Sequence, residues 1–251
     1  DTLSLHDALP IFGYKVLDKA TLASLEKQLN EYGVKTERIP AGELLETGER
    51  VRFQIPTGHM IELYADKTAV GSAVGNSSPD MDIIDQPGIT PIRLDHALIY
   101  GTDLDGATDL FTKVLGFTLV ERVKLEDGQT DLGVWLTCSA KAHDIAMVRH
   151  GEPGKLHHVS FQLGSWEQVL RAADIMSKNR VSIDIGPTRH GITNGTTIYF
   201  FDPSGNRLET FAGGYDHYPD MEPITWSWEE VGRGIFYHDR KLNDAFLSVV
   251  T

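Results

Sequence analysis

Apolar positions recur with two different periods along this chain. Most of it consists of short runs in which Val, Ile, Leu, Phe and Tyr alternate with polar residues, the pattern of half-buried strands. Segments at helical spacing interrupt them. Leu22, Leu25 and Leu29 mark one apolar face within residues 20–32, and Val169, Ala172 and Ile175 mark another within 166–178. A third helix is predicted over 105–114, ending at Leu115 and Gly116, where glycine supplies the left-handed cap. Strands are predicted at 93–100, 118–123, 132–138, 144–149 and 155–162, and a helix-like segment at 228–249.

The pattern repeats. Residues 50–65, RVRFQIPTGHMIELYA, align without a gap on residues 197–212, TIYFFDPSGNRLETFA. Each copy reads as a strand, a turn built on Pro and Gly, and a second strand. A helix-period segment precedes each copy, and the strand carrying His96 corresponds to the strand carrying His158. The expected fold class is therefore α+β, built from repeated βαβββ modules that pair into curled mixed sheets. Residues 92–212 make one complete domain of two modules. Residues 13–70 form a partial N-terminal domain carrying only the later part of one module, 71–91 a linker rich in Gly, Ser, Pro and Asp, and 213–251 a C-terminal tail. Residues 1–12 join the rest abruptly and are set aside as a foreign start.

Composition narrows the partners. With 251 residues and 41% hydrophobic content the chain can bury a sizeable core, and a formal net charge of −13 argues against nucleic acid or an anionic membrane surface. A small soluble partner fits. The single cysteine, Cys138, permits neither an internal disulfide nor a thiolate metal cluster, which suits a reducing cytoplasm. No apolar run is long enough to span a membrane, and no export signal is evident.

Three residues are candidates for metal binding. On alternating strands His96 shares a face with Leu94 and Leu98, and His158 with Leu156 and Ser160, so both imidazoles can enter the concave side of one sheet. Glu209 lies among mostly apolar and aromatic residues and needs a partner if buried. Two histidines and one carboxylate are the facial set that leaves open positions on Fe(II). Against this stands Glu62, which occupies the matching place in the first hairpin, where no second histidine module exists; the carboxylate could belong to the fold alone. Tyr199, by contrast, is replaced by Arg52 in that hairpin. His143 and His190 taken alone read as exposed loop histidines, and His150 and His157 carry no signal. No nucleophile elbow, phosphate loop or dinucleotide fingerprint occurs.

The stretches LDHALIY (94–100), KAHD (141–144), LHHVSF (156–161), IGPTRHG (185–191), YFFDPSGNR (199–207) and FYHD (236–239) resemble the bacterial catechol 2,3-dioxygenases of the vicinal oxygen chelate superfamily. The resemblance runs from Gly13 to Thr251. It implies four βαβββ modules in two domains, of which the first N-terminal module and part of the second are replaced here by the odd start. It implies Fe(II), with Mn(II) as an alternative, on His96, His158 and Glu209. It also implies acid/base and hydrogen-bonding roles for His143, His190 and Tyr199, a substrate pocket lined by Ile192, Ile235 and Phe246, and a homotetramer. The implied reaction is extradiol cleavage of a catechol by dioxygen to a yellow 2-hydroxymuconic semialdehyde. Three other readings remain at this level: a glyoxalase-like isomerase or thiol transferase on the same scaffold, a non-catalytic ligand-sequestering protein, and an inactive truncated enzyme.

Overall fold

The computed structural model describes residues 11–68 and 88–251. They group into two compact units, Ile11–Ile55 with residues 60–68 and 88, and Pro56–His59 with Ile89–Thr251. In the smaller unit β1 (Ile11–Lys15), α1 (Lys19–Tyr32), β2 (Thr36–Ile39), β3 (Arg50–Gln54) and β4 (Met60–Tyr64) form a four-stranded sheet in the order β1-β4-β3-β2. The helix begins where the Asp18 carboxylate accepts the Thr21 N–H, and it ends at Gly33, whose φ of 96° only glycine adopts freely. Leu22 and Leu29 on one face of α1 are buried, as are Val51, Phe53, Ile61 and Leu63 of the sheet.

This corrects the expectation of a partial module. Strand, helix and three strands are all present. The missing strand came from residues assigned to the foreign start, because Ile11 and Phe12 pair in parallel with Met60 and Ile61. A parallel partner almost fifty residues away leaves no local signal. Residues 1–10 of that start and 71–87 of the expected linker lie outside the described residues.

The larger unit repeats the module twice. β5 (Arg93–Gly101), α2 (Leu104–Lys113), β6 (Thr118–Lys124), β7 (Asp131–Thr137) and β8 (Ile145–Arg149) make the first copy. β9 (Lys155–Gln162), α3 (Trp166–Lys178), β10 (Ile183–Arg189), β11 (Gly195–Phe201) and β12 (Arg207–Gly213) make the second. With the short β13 (Ile224–Trp226) they form one nine-stranded sheet, ordered β10-β11-β12-β9-β5-β8-β7-β6-β13. Each half keeps the order of the smaller unit, and the first strands β5 and β9 meet antiparallel at the centre. Helix α3 buries Val169, Ala172 and Met176 against Leu163, Ile198 and Ala212, and α2 packs on β6, β7 and β8 through Leu104, Ala107, Leu110 and Phe111. The strand residues that alternate with these point to the opposite face of the sheet, where Trp135, Ala146 and Ile192 gather.

Beyond β13 the expected continuous helix is absent. The tail forms a short 3₁₀ turn at Trp228–Glu230, then α4 (Val231–Ile235) and α5 (Asp244–Ser248). Glycines explain the break. Both Gly232 and Gly234 sit in α4, a side chain at Gly232 would meet the Arg240 carbonyl at 2.7 Å, and Arg240 itself turns the chain with a φ of 56°.

Candidate active site

Register brings the functional residues into one row. Across the sheet His96 on β5 pairs with Ser160 on β9, Ser160 with Glu209 on β12, and Glu209 with Tyr199 on β11. Directly paired residues share a face, so His96, Glu209 and Tyr199 point the same way, joined by His158 two residues from Ser160. Ser160, fully buried, is small enough to leave the space between them open.

The three candidate ligand atoms lie within 4.8 Å of one another. Nε2 of His96 stands 2.9 Å and Nε2 of His158 3.3 Å from Glu209 Oε2, and the two Nε2 atoms are 3.4 Å apart. Despite this closeness Oε2 accepts no aligned hydrogen bond and is fully buried, so the contacts have the shape of atoms gathered round a shared cation. Charge agrees with shape. Burial opposes protonation of His96, yet Glu209 and Asp95 together push its imidazole up to about 9. Burial likewise would raise the Glu209 carboxyl, but the charge of His96 first, and the nearby His158 and His190 next, hold it well below its ordinary value. A positive charge belongs at this point, and a divalent ion fits it.

The repeated hairpin resolves the ambiguity left by Glu62. Its carboxylate is bound by Arg50 at 2.8 Å and by Arg52 at 2.6 Å. At the corresponding places beside Glu209 stand Thr197 and Tyr199. Thr197 donates its hydroxyl to Glu209 Oε1 at 2.5 Å, and no guanidinium pairs with this carboxylate among the described residues. Two guanidinium groups take up the charge of Glu62, whereas the charge of Glu209 faces imidazoles and one hydroxyl.

Around the cluster each histidine is oriented. His96 donates from Nδ1 to Asp95 at 2.8 Å, which leaves its Nε2 facing the cluster, and Lys141 in turn holds Asp95. His190 directs Nδ1 at the Ile235 carbonyl, which can only accept, so its Nε2 offers a lone pair to the Tyr199 hydroxyl at 2.8 Å. Burial first, and Glu209 next, raise the Tyr199 phenol well above its ordinary value, which keeps it a neutral donor. His143, on the loop before β8, stacks tilted on His96 with ring centroids 3.9 Å apart. Burial and the neighbouring His96 lower its imidazole well below the usual range, so it is neutral. His96, His143, His158, His190, Tyr199 and Glu209 line one cavity together with the expected pocket residues Ile192, Ile235 and Phe246.

The same wall includes Leu98, Trp135, Ala146, Thr193 and Phe211, which carried no sequence signal. Two further residues escaped notice. Glu121, buried on β6, accepts from the Thr193 N–H at 2.6 Å, the Tyr215 hydroxyl at 2.7 Å and the Trp226 indole at 2.7 Å. It thereby anchors the turn that presents Ile192 and Thr193, the latter at a φ of 59°. His157 is not the unremarkable histidine expected, because it is buried between Phe246 and His158 with Arg207 against it. Strand alternation would send it to the face away from His158, but a β-bulge in the pairing of β9 with β5 interrupts that alternation and leaves it packed against Phe246 on the side of the site.

Fold and site together define a metal-dependent enzyme of the glyoxalase, bleomycin resistance protein and dioxygenase superfamily, whose family model matches residues 93–210. Residues 9–68 match the catechol 2,3-dioxygenase-like N-terminal domain. The metapyrocatechase of Pseudomonas sp. strain CF600 is 51% identical over 97% of this chain and 79% of its own length. A manganese-dependent 2,3-dihydroxybiphenyl 1,2-dioxygenase of Geobacillus genomosp. 3 is 33% identical over 84% of this chain and 69% of its own. Among solved structures, the 2,3-dioxygenase LapB of Pseudomonas sp. KL28 superposes with a TM-score of 0.83 at 60% identity, covering 87% of this chain and 76% of that one. The chain belongs to the catechol 2,3-dioxygenase family of extradiol ring-cleaving dioxygenases. That removes the isomerase, transferase and sequestering readings. No helix among the described residues is long and apolar enough to cross a membrane.

Proposed function

We propose that His96, His158 and Glu209 hold one Fe(II), with Mn(II) as an acceptable substitute, and that the site cleaves a catechol beside its diol to 2-hydroxymuconic semialdehyde. The observation that carries this is the buried, unsatisfied Oε2 of Glu209 between two imidazole Nε2 atoms, at the floor of an aromatic-lined cavity. When bound, the metal supplies Lewis-acid polarisation of the diol and redox access to dioxygen.

The protein supplies position and protons. Ile192, Ile235 and Phe246 present apolar surface to the ring and exclude water from the cavity. On one side the lone pair of His190 Nε2 takes a diol proton, relayed through or beside the Tyr199 hydroxyl that it binds. Tyr199 remains protonated and donates to the substrate oxygen. On the other side His143, neutral and stacked on His96, would present an N–H to the oxygen reactant, and after taking up a diol proton on its other ring nitrogen it would return that proton to the leaving oxygen, so that protons balance and no imidazolate forms. Both atoms of dioxygen enter the product, so catechol and dioxygen are consumed one for one. An adjoining apolar cavity shares Leu98, Trp135, Ile235 and Phe246 with the site and has room for ring substituents.

The test is direct. Anaerobic protein loaded with Fe(II) is mixed with catechol, air is admitted, and absorbance and oxygen uptake are followed together. Yellow product with equimolar oxygen uptake is the expected result, lost in His158→Ala; iron binding with neither signal rules the proposal out. We further infer a cytoplasmic homo-oligomer, a tetramer by family resemblance, with Cys138 free and unable to pair within the chain. Sedimentation equilibrium at the mass of four chains is the expected result.

A further inference from the structure

Four carboxylates are buried among the described residues, Glu62, Asp95, Glu121 and Glu209. Three of them face guanidinium, ammonium or imidazole groups: Glu62 meets Arg50 and Arg52, Asp95 meets Lys141 and His96, and Glu209 meets His96, His158 and His190. Glu121, only 1% exposed, meets neutral donors alone: the Thr193 N–H and the Tyr215 hydroxyl at Oε1, and the Trp226 indole at Oε2. Burial raises its carboxyl above the ordinary value, and the three donors offset only part of that. A buried carboxylate without a countercharge is costly to the fold.

A second cost sits at the other end of its shortest bond. Thr193 has φ 59° and ψ −6°, and Asn194 follows with φ 56°. Two successive residues in the left-handed region mark the tight turns that favour Asn and Gly. Asn194 suits such a turn, whereas a β-branched residue such as Thr193 seldom adopts it. Nor is this turn a solvated hairpin tip, because Ile192 and Thr193 are each 2% exposed and both line the active-site cavity. The same carboxylate fastens Trp226, whose ring lies so close to two glycines that a side chain at Gly191 would meet it at 2.9 Å and one at Gly234 at 3.4 Å. Gly191 donates its N–H to the Gly234 carbonyl at 2.8 Å, and the neighbours of these two glycines are His190 and Ile235.

We propose that Glu121 is a positioning residue for ring cleavage: it holds Thr193 in the left-handed conformation, and the Thr193 side chain is the part of the cavity wall that orients the substrate ring against His190 and Tyr199. Backbone strain persists where the surrounding structure over-determines it, and such places cluster at ligand-binding walls. Glycine would form this turn without help but would leave the wall open. Threonine fills the wall and needs the carboxylate on its N–H to stay there. The inference rests on the site accepting a catechol.

The test is catechol affinity measured by calorimetry on the full chain loaded with Zn(II), which has no redox chemistry and so gives no turnover, with thermal unfolding of each variant alongside. Thr193→Gly and Thr193→Ala both open the wall and are each expected to bind catechol about 10-fold more weakly. The alanine variant is expected to unfold at the lower temperature, the reverse of the usual order, because only glycine takes a φ of 59° freely. Affinities within about 2-fold of the original, or an alanine variant more stable than the glycine one, overturn the proposal. Glu121→Met fills similar space without an acceptor and is expected to weaken catechol about 10-fold while Zn(II) affinity is unchanged. Tyr215→Phe removes another donor to Glu121 but leaves the Thr193 bond, so it is expected to lower the unfolding temperature and keep catechol affinity within about 2-fold. A loss there equal to that of Glu121→Met shows a merely structural role and overturns the proposal. Since glycine holds the turn unaided, Glu121→Met added to Thr193→Gly should cost less than about 2-fold more, and a full further 10-fold loss overturns the proposal. Should Glu121→Met fail to fold, Glu121→Asp, which keeps the charge but withdraws the acceptor by one methylene, takes its place with the same expectation. Zn(II) binding without catechol binding by the unaltered protein overturns the proposed substrate as well, whereas normal catechol binding with unaffected variants overturns this inference alone.

Discussion

Glu209→Gln is expected to bind Zn(II) or Fe(II) at least about 100-fold more weakly, because removing even a hydrogen-bond partner of a metal ligand costs roughly 10- to 100-fold and this change removes an anionic ligand itself. Glutamine has nearly the same shape and keeps an oxygen for the Thr197 hydroxyl, now 2.5 Å from Oε1. Folding should survive. What the amide cannot do is supply negative charge between the two imidazoles, and its NH₂ group presents protons toward Nε2 atoms that need a cation. Ring cleavage at fixed Fe(II) should fall at least in proportion. Isothermal titration with Zn(II), alongside thermal unfolding of the metal-free protein, checks both parts. Unchanged affinity would show that Glu209 is structural, as Glu62 is.

Tyr199→Arg carries the comparison between the two hairpins to its limit. Arg52 pairs with Glu62 in the register that Tyr199 keeps with Glu209, and there the guanidinium sits 2.6 Å from the carboxylate. An arginine at 199 can reach Glu209 in the same manner and occupy its charge. Metal affinity should drop by more than about 100-fold, since the site would then hold a fixed cation where a divalent ion must enter. Stability should change by only about 1–3 kcal/mol, because a buried charge gains a partner while His190 loses the Tyr199 hydroxyl. Tyr199→Phe separates charge from proton chemistry: metal binding is retained, and turnover falls by about 10²- to 10⁴-fold if the hydroxyl assists proton transfer. Equilibrium dialysis and steady-state turnover on the two variants distinguish these effects. Retained metal in Tyr199→Arg would mean that the hairpins differ for reasons other than charge.

The legibility of the site follows from where its information resides. His96 and His158 were visible because equivalent strands of repeated modules carry them, and repetition converts sequence distance into spatial symmetry. His143 and His190 came from motif resemblance, and Tyr199 from that and from its replacement by Arg52 in the first hairpin. On composition and spacing His143 and His190 read as exposed, yet both are buried, as is Tyr199. Asp95 and Glu121 went unnoticed because a lone carboxylate on a strand has the sequence signature of a solvated one. Asp95 meets its strand neighbour His96 and the distant Lys141, and Glu121 meets Thr193, Tyr215 and Trp226, all from distant elements.

The chain's sequence determined its modular plan. Alternation and helical spacing specify each strand and helix locally, since a side chain's face depends only on its neighbours' dihedrals, and the gapless repeat of the hairpin announces a shared supersecondary unit. Tertiary structure alone decided the rest. The parallel pairing of Ile11 and Phe12 with β4, which completes the smaller unit's module, depends on a contact across the chain. So does the difference between two glutamates at one repeated position, because a carboxylate's role is set by the charges that face it. Glu62 meets two guanidinium groups and is spent on the fold. Glu209 meets imidazoles and one hydroxyl, and is left with the charge that a metal requires.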